Sequence, residues 1–349
     1  MAPEPRAEIL ALRPTVHGGS ADAGVLDFST GVSPFAPPPE ILVAARAADL
    51  SRYPHATALP FRAAAAELHG VSPEHVVAGA GSVELIWALA RAFGGPGRAG
   101  LVVTPAFGEY EQALRASGAD VVTVRLAAPR FELSPAALER ALADDGHITI
   151  VFVCRPSNPC LTSVPAPALM ELTRRWPGTL FVIDEAYQPL FDEAPGLSVG
   201  PNVALLRSLT KVFALPGLRL GYLLASAEVA RVVQLVLPPW NVSSPAQAAG
   251  VVAAASYAAA LDALRAGTST LRLSLKRTLA ELAGEPAQSG GPFLLYRVGA
   301  ADDLAGRMLD QGVKIRSCAS FGLPEHVRLG IRPEDEHEAL LRAWRLATV

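Results

Sequence analysis

Short apolar segments alternate with helix-like segments from about residue 75 to residue 240. Several of the apolar segments lack the alternating polar residues of a half-exposed strand, which is typical of strands covered on both faces. The segments between them carry apolar residues at helical spacing. Repeated strand–helix–strand units predict an α/β fold with a mostly parallel central sheet and helices on both faces. Ligands of such sheets bind beyond the carboxyl ends of the strands.

The boundaries of these elements follow from the apolar runs. The predicted strands are Leu101–Thr104, Val121–Leu126, Ile148–Cys154, Leu180–Asp184, Val203–Leu206 and Leu220–Ala225. The predicted helices are Val83–Phe93, Tyr110–Ser117, Pro135–Ala143 and Pro165–Arg175.

The pattern changes after Pro245, where a long alanine-rich helix precedes a smaller α+β region. This region contains the predicted strands Phe293–Val298, Val313–Arg316 and Val327–Arg332, a helix near Leu304–Gln311 and a final helix. We therefore predict an N-terminal arm (1–39) that forms part of the small domain, a large ligand-binding domain (40–244) and a small C-terminal domain (245–349).

Composition narrows the class of protein. Half of the 349 residues are hydrophobic and 18% are charged, which excludes wholesale disorder, and the net charge of −3 gives no sign of nucleic-acid binding. The apolar stretch Ala246–Leu261 is mainly alanine with polar residues inside it, so we predict a packed helix and no membrane partner. Three cysteines make no disulfide framework, which favours a cytoplasmic protein.

Lys211 is the first candidate for chemistry. It lies in Arg207-Ser-Leu-Thr-Lys211, just after a predicted strand, with Arg219 eight residues later and apolar residues between. A lysine in apolar surroundings near another cation can act as a nucleophilic amine and form a Schiff base. The hydroxyls of Ser208 and Thr210 and the Arg219 guanidinium suit one phosphate group. The alternative is a surface lysine in a turn.

Two further strand ends carry polar groups. Asp184 ends an apolar strand, so its carboxylate could keep a ring nitrogen protonated, and Tyr187 could donate to a phenolate oxygen. Asn158 lies between two prolines at another strand end, where a rigid amide can bind a ring oxygen. An acidic helix cap and an ordinary Asn-Pro turn are the competing interpretations.

A glycine-rich turn and an aromatic residue complete this edge of the sheet. Gly81, Ser82 and Val83 enter a predicted helix, whose free N–H groups suit a phosphate, although a plain glycine turn has the same pattern. The third glycine of a dinucleotide fingerprint is missing, because Glu84 takes its place. Phe107 could stack on a flat ring or be a core residue.

Arginines in the small domain suggest an anionic substrate. Arg328 and Arg332 share a face of the predicted strand, where we expect no acidic partner beside them, and Arg316 recurs on a neighbouring predicted strand. A solvated sheet face is the alternative. His17, beside Gly18 and Gly19, could bend over a site or belong to a surface loop. The seven histidines show no metal-ligand spacing, and no Gly-x-Ser-x-Gly elbow is present.

The order of these motifs resembles the fold-type-I pyridoxal-phosphate enzymes of the aspartate aminotransferase superfamily, over about residues 17 to 345. By that resemblance Lys211 bonds covalently to pyridoxal 5′-phosphate, Asp184 pairs with the pyridine nitrogen and Phe107 stacks on the ring. Asn158 and Tyr187 contact the ring hydroxyl. The phosphate contacts implied are Gly81, Ser82, Val83, Ser208, Thr210 and Arg219. Tyr53 matches a tyrosine that reaches the neighbouring subunit's phosphate, which implies a homodimer.

Within this superfamily the chain is most similar to the threonine-phosphate decarboxylases of cobalamin biosynthesis. The elements that carry the likeness are His17-Gly-Gly19, Arg207-Ser-Leu-Thr-Lys211, Pro239-Trp240 and Ile315-Arg-Ser-Cys-Ala319. By match, Arg328 binds the substrate carboxylate, and Arg316 and His17 bind its phosphate. Gly31-Val-Ser-Pro34 and Arg155 to Leu161 depart from the usual family motifs on the substrate side.

The resemblance implies decarboxylation of L-threonine O-3-phosphate to (R)-1-aminopropan-2-yl phosphate. The alternative is an aminotransferase of the histidinol-phosphate type, which shares most of the motifs. A more distant alternative is a pyridoxal-phosphate-binding module without catalysis. The predicted substrate contacts are His17, Gly31, Arg316, Arg328 and Arg332.

Overall fold

The computed structural model describes residues 3–19, 21–191 and 197–348. The strands in these residues are β1 (Leu26–Asp27), β2 (Val76–Gly79), β3 (Ala99–Thr104), β4 (Asp120–Arg125), β5 (Ile148–Cys154), β6 (Leu180–Asp184), β7 (Val203–Ser208), β8 (Gly221–Leu224), β9 (Gln288–Gly290), β10 (Phe293–Arg297), β11 (Val313–Lys314), β12 (Arg316–Ser317) and β13 (His326–Gly330). The α-helices are α1 (Ala7–Leu10), α2 (Pro39–Arg46), α3 (Leu59–His69), α4 (Ser82–Phe93), α5 (Glu109–Ser117), α6 (Pro135–Asp144), α7 (Ala166–Arg175), α8 (Leu209–Val212), α9 (Ala227–Val236), α10 (Ser244–Ala283), α11 (Ala301–Asp310) and α12 (His337–Thr348).

A seven-stranded sheet forms the centre of the large domain, in the order β2-β8-β7-β6-β5-β3-β4. β8 runs antiparallel to β2 and β7, and the other pairs are parallel. The predicted mostly parallel α/β sheet is therefore confirmed, with one reversed strand that the apolar pattern does not reveal.

Both faces of this sheet are covered because successive strand residues point to opposite sides. Leu101 and Val151 pack on the side of α3, α6, α7 and the start of α10. Val102 and Phe152 pack on the other side, against α4, α5 and α9. The double covering explains why the strand sequences are apolar without alternation.

The small domain surrounds a four-stranded antiparallel sheet in the order β12-β13-β10-β9. Its core joins that sheet to α11, α12 and the end of α10. The N-terminal arm enters this core through Phe28, and β1 pairs in parallel with β11. The predicted single strand Val313–Arg316 is wrong, because β11 and β12 belong to different sheets.

α10 contributes to the cores of both domains. Ala246 and Ala249 are buried in the large-domain core, whereas Leu275 and Leu279 are buried in the small-domain core. The division of the chain at residues 244 and 245 therefore stays a prediction. By length and composition alone α10 could also cross a membrane, but its residues in the two cores give it a packing role.

Gly330 offers a test of how tightly the arm is joined to the small domain. Its N–H donates to the Phe28 carbonyl oxygen at 2.7 Å, and a Cβ at this position would overlap the backbone oxygen of Thr30. Because backbone cannot yield as a side chain can, Gly330→Ala should destabilise the protein by about 1–3 kcal/mol. Thermal unfolding of the two proteins measures the change.

Gly306 is the matched control, because it lies inside α11 with nothing within 4 Å of the added Cβ. Gly306→Ala should leave the melting temperature unchanged or raise it slightly, since alanine favours a helix by about 1 kcal/mol over glycine. An equal loss of stability in both variants would contradict the close-approach argument.

Candidate active site

Two adjoining cavities open at the carboxyl ends of the parallel strands. The inner cavity has a volume of about 120 Å³ and the outer one about 570 Å³. Phe107, Asn158, Tyr187 and Lys211 line both. The inner cavity contains the predicted cofactor residues Gly81, Ser82, Val83, Phe107, Asn158, Asp184, Tyr187, Ser208, Thr210, Lys211 and Arg219. The sequence motifs thus predict one compact site, with Tyr53 as the exception.

Asp184 ends β6 and is 5% exposed. Its Oδ2 accepts a hydrogen bond from the Tyr110 hydroxyl at 2.7 Å, and its Oδ1 accepts one from the Ala186 N–H at 2.9 Å. Burial raises the pKa of the Asp184 carboxyl, and these two hydrogen bonds and the charge of Lys211 oppose that rise. The carboxylate is thus fixed in place but incompletely compensated, which suits a cationic ring nitrogen.

Tyr110 was missed by sequence reasoning, which treated it only as the start of a helix. Its ring stacks on Phe152 with a centroid distance of 5.1 Å, and burial beside Asp184 raises its pKa well above the ordinary value. The hydroxyl therefore stays protonated and can donate. The sequence offers one indication that Tyr110 belongs to the site: it lies three residues after Phe107, in a segment that follows the end of a predicted strand.

Lys211 lies in the single turn of α8, directly after β7. Its backbone oxygen accepts a hydrogen bond from the Ser33 N–H at 2.8 Å, which ties this turn to the N-terminal arm. Its Nζ lies 5.5 Å from the centre of the Tyr187 ring. Across the described ranges no carboxylate forms an ion pair with it, so the amine is available at the junction of the two cavities.

The glycine turn that the sequence predicts to hold a phosphate leads directly into α4. Gly81 precedes the helix with φ 82°, and a Cβ there would lie 2.6 Å from the Arg219 Nη2. Glu84 Oε2 accepts from the Ala80 N–H at 2.6 Å and from the Asn241 side chain at 2.7 Å. Glu84 therefore stabilises the turn, and the free N–H groups of the helix and Arg219 face one anion site.

Arg328 extends from β13 into the outer cavity and is 4% exposed. It donates through Nη1 to Asn158 Oδ1 and through Nη2 to the Ser29 carbonyl oxygen at 2.7 Å. Its guanidinium lies 4.2 Å from the centre of the Phe293 ring. Carbonyl and amide oxygens and an aromatic face hold this cation without neutralising it, so it keeps capacity for an anionic ligand.

Arg316 lies beside Arg328 across the pair β12–β13. Its Nη2 donates to the Val16 carbonyl oxygen at 2.8 Å and to Ser320 Oγ at 2.6 Å. Burial, and then the charge of Arg328, lower the pKa of Arg316. Two buried arginines side by side favour a substrate with negative charge.

Gly31 and His17 also line the outer cavity. A Cβ on Gly31 would overlap the Phe293 ring, so glycine is required for that ring to reach Arg328. His17 belongs to the arm segment 11–18, which covers the cavity.

Two predicted residues lie outside both cavities. The prediction that Arg332 lacks an acidic partner and shares a strand face with Arg328 is wrong. β13 ends at Gly330, and Arg332 donates to both carboxylate oxygens of Glu336, at 2.8 and 2.7 Å. Tyr53 is 82% exposed and packs against the Trp240 ring at 5.0 Å.

Comparisons with known proteins agree with this geometry. The family model for aminotransferase class I and II matches residues 23–343. A histidinol-phosphate aminotransferase of Paramagnetospirillum magneticum is 33% identical, over 99% of this chain and 98% of that protein. A crystal structure of the Sinorhizobium meliloti histidinol-phosphate aminotransferase with pyridoxal-5′-phosphate has a TM-score of 0.86 at 23% identity, covering 98% of this chain and 97% of that one. The L-threonine-O-3-phosphate decarboxylase structure from Porphyromonas gingivalis has a TM-score of 0.79 at 23% identity, covering 92% and 98%.

The buried carboxylate predicts a pH-dependent difference in stability. Because the pKa of Asp184 is raised on folding, its ionisation costs stability above that raised pKa, and nothing below the ordinary value near 4, where it is neutral in both states. Asp184→Asn should therefore gain stability relative to the ligand-free wild type as the pH is raised from 4 to 7.5, because the amide never ionises. Denaturant unfolding at both pH values measures it, and an equal gain at both would contradict the assignment.

Proposed function

The chain belongs to the class I and class II aminotransferases, and on that premise we propose that it transfers the amino group of a phosphorylated amine of the histidinol-phosphate type to an oxo acid. The protein is an enzyme, and its cofactor is pyridoxal 5′-phosphate. Transamination of the histidinol-phosphate type, the alternative in the sequence analysis, is therefore preferred here to decarboxylation. Relatives about 30% identical over nearly the whole chain carry the aminotransferase name, whereas the likeness to the decarboxylase is one of fold.

One observation carries the proposal: the two joined cavities have a carboxylate at the inner end, an amine at their junction and two buried arginines at the outer end. The inner cavity offers partners for a flat cationic ring that carries a phosphate, because Asp184 lines it together with the start of α4 and Arg219. An anionic amine fits the outer cavity, since Arg316 and Arg328 meet it there.

When bound, pyridoxal phosphate supplies an electron sink for the bonds at the substrate Cα. Asp184, held by Tyr110 and Ala186, keeps the proton on the ring nitrogen. We assign covalent attachment to Lys211 and, after substrate has displaced it, the movement of the Cα proton to its freed amine. Phe107 would lie on the ring face, and Asn158 and Tyr187 would contact the ring oxygen.

The other predicted contacts complete the assignment. Gly81, Ser82, Val83, Ser208, Thr210 and Arg219 hold the cofactor phosphate. Arg328 binds the carboxylate of the oxo acid or amino acid. Arg316 and His17 bind the phosphate of the phosphorylated amine.

A second candidate, decarboxylation of L-threonine O-3-phosphate, keeps one specific observation in its favour. His17 lies over the outer cavity together with Arg316 and Arg328, as the His-Gly-Gly and Ile-Arg-Ser-Cys-Ala motifs imply. With pyridoxal phosphate bound, the residues that orient the substrate would decide which bond at Cα breaks, and shifts of about an ångström would be enough to change the outcome. The non-catalytic reading is set aside, since the chain belongs to an enzyme family.

We also propose a homodimer in the cytoplasm. Tyr53 and Trp240 form an exposed aromatic pair outside their own subunit's cavities, and Leu50 and Leu235, which are near them in the sequence, are also exposed. Exposed apolar clusters of this kind mark interaction surfaces. The three cysteines are buried and free, which suits a reducing compartment.

Lys211→Arg tests the covalent attachment, because arginine keeps the positive charge but cannot act as the nucleophilic amine. We expect loss of the visible absorption of the attached cofactor and a fall in turnover of more than about 10³-fold. Lys276→Arg is the control, since Lys276 pairs with Glu285 away from the cavities. Turnover within tenfold of wild type in Lys211→Arg would contradict the assignment of covalent attachment to Lys211.

The reaction itself is tested with two substrates. Histidinol phosphate with 2-oxoglutarate should yield glutamate, because the amino group moves and no carbon is lost. O-phosphothreonine without any oxo acid should release no carbon dioxide above the background of a protein-free sample. Carbon dioxide release in the second assay without glutamate in the first would replace the proposal by the decarboxylase.

A further inference from the structure

The buried carboxylate of Glu109 binds the arm segment 11–18, which covers the outer cavity. Glu109 is 7% exposed and stands at the first position of α5. Its Oε2 accepts from the Trp87 indole N–H at 2.8 Å. Its Oε1 accepts from the Thr15 hydroxyl and lies 3.0 Å from His17 Nε2. Two arm residues therefore converge on one carboxylate oxygen.

This arrangement fixes the protonation pattern of His17. The Thr15 hydroxyl donates to Glu109, so its oxygen is left as the acceptor for His17 Nε2, 2.7 Å away. Nε2 must then carry a proton, because both of its partners are acceptors. Nδ1 is the nitrogen left for a ligand, and a ring that takes a second proton there donates to an anion.

The arm cannot easily take another position over the cavity. A Cβ on Gly108 would lie 2.9 Å from the Thr15 methyl group, so the arm runs close to the start of α5. Arg6 Nη2 donates to the Ala116 carbonyl oxygen at 2.7 Å near the other end of that helix. Arg316 donates to the carbonyl oxygen of Val16, the residue between Thr15 and His17.

We propose that Glu109 is a positioning residue for the distal phosphate of the substrate, acting through His17. It holds the imidazole with Nε2–H engaged, so that the ring joins Arg316 in binding a phosphate in the outer cavity. This inference rests on the proposed function, since it assumes a phosphorylated substrate. It adds a residue that itself touches neither cofactor nor substrate.

Coulomb's law and this proposal predict opposite changes in phosphate affinity when the charge of Glu109 is removed. Removal of a negative charge near an anion site should tighten the binding of an anion if only the overall charge matters. If Glu109 acts by holding a charged His17, Glu109→Gln should weaken it. The isosteric amide keeps the volume of the side chain, so the comparison separates charge and positioning from packing.

The experiment titrates the cofactor-loaded enzyme with three probes, followed by the cofactor absorbance and by calorimetry. They are histidinol phosphate, its dephosphorylated counterpart histidinol, and inorganic phosphate. Glu109→Gln should bind histidinol phosphate and inorganic phosphate about tenfold more weakly, which is one lost charge-assisted contact. Histidinol binding and the cofactor absorbance should change by less than about twofold.

Glu111→Gln is the matched control. Glu111 lies on the same helix at the cavity edge, but its partner is Arg115 at 2.8 Å, so its loss should leave phosphate binding equal or tighter. A double-mutant cycle adds a further control: in a His17→Ala background, Glu109→Gln should have almost no further effect.

Phosphate binding by Glu109→Gln that is as tight as in wild type, or tighter, overturns the inference. An equal loss of affinity for histidinol and histidinol phosphate also overturns it, because that result indicates a structural role. Failure of the proposed function looks different: wild type would then respond to neither organic probe. The inorganic phosphate titration still decides the role of Glu109 in that case.

Discussion

The site depends on a carboxylate that is almost completely buried at the inner end of the joined cavities. Asp184 is buried at the end of a central strand, and its two hydrogen bonds come from a tyrosine that is itself buried and from one backbone N–H. These partners orient the carboxylate but bring no positive charge of their own. The charge of Lys211 offsets part of the remaining cost of ionisation, and a cation in the inner cavity would offset more of it, so this end of the cavities favours a cationic ligand.

The outer cavity likewise contains buried charged groups, but these are positive. Arg316 and Arg328 are buried next to each other, and in the described ranges they are held by carbonyl, amide and hydroxyl oxygens and by aromatic rings. Neither is neutralised by a carboxylate there. The protein thus presents a fixed anion at one end of the joined cavities and fixed cations at the other, which sets the direction in which a ligand of mixed charge can lie.

Sequence patterns predicted the strands best where both faces are covered. Ile148–Cys154 and Leu180–Asp184 match β5 and β6 at both ends, because strands covered on both faces are apolar over nearly their whole length. The residues at such strand ends could therefore be placed together. Arg332 was misplaced because periodicity cannot show where β13 ends, and Glu336 approaches it only through the turn that follows. Tyr110 and Glu109 escaped notice because the partners that tie them to the site, Asp184 for Tyr110 and Thr15 and His17 for Glu109, are more than 70 positions away along the chain.

The forty-residue α10 has a mechanical consequence for the whole molecule. Such a helix is about 60 Å long, and it is embedded in a different core at each end. A tilt of about 5° around its middle would carry each end through roughly 2–3 Å, a distance comparable to a hydrogen bond. The large and small domains therefore share one rigid helix, so a rotation or an unfolding of either domain would strain the packing of the other.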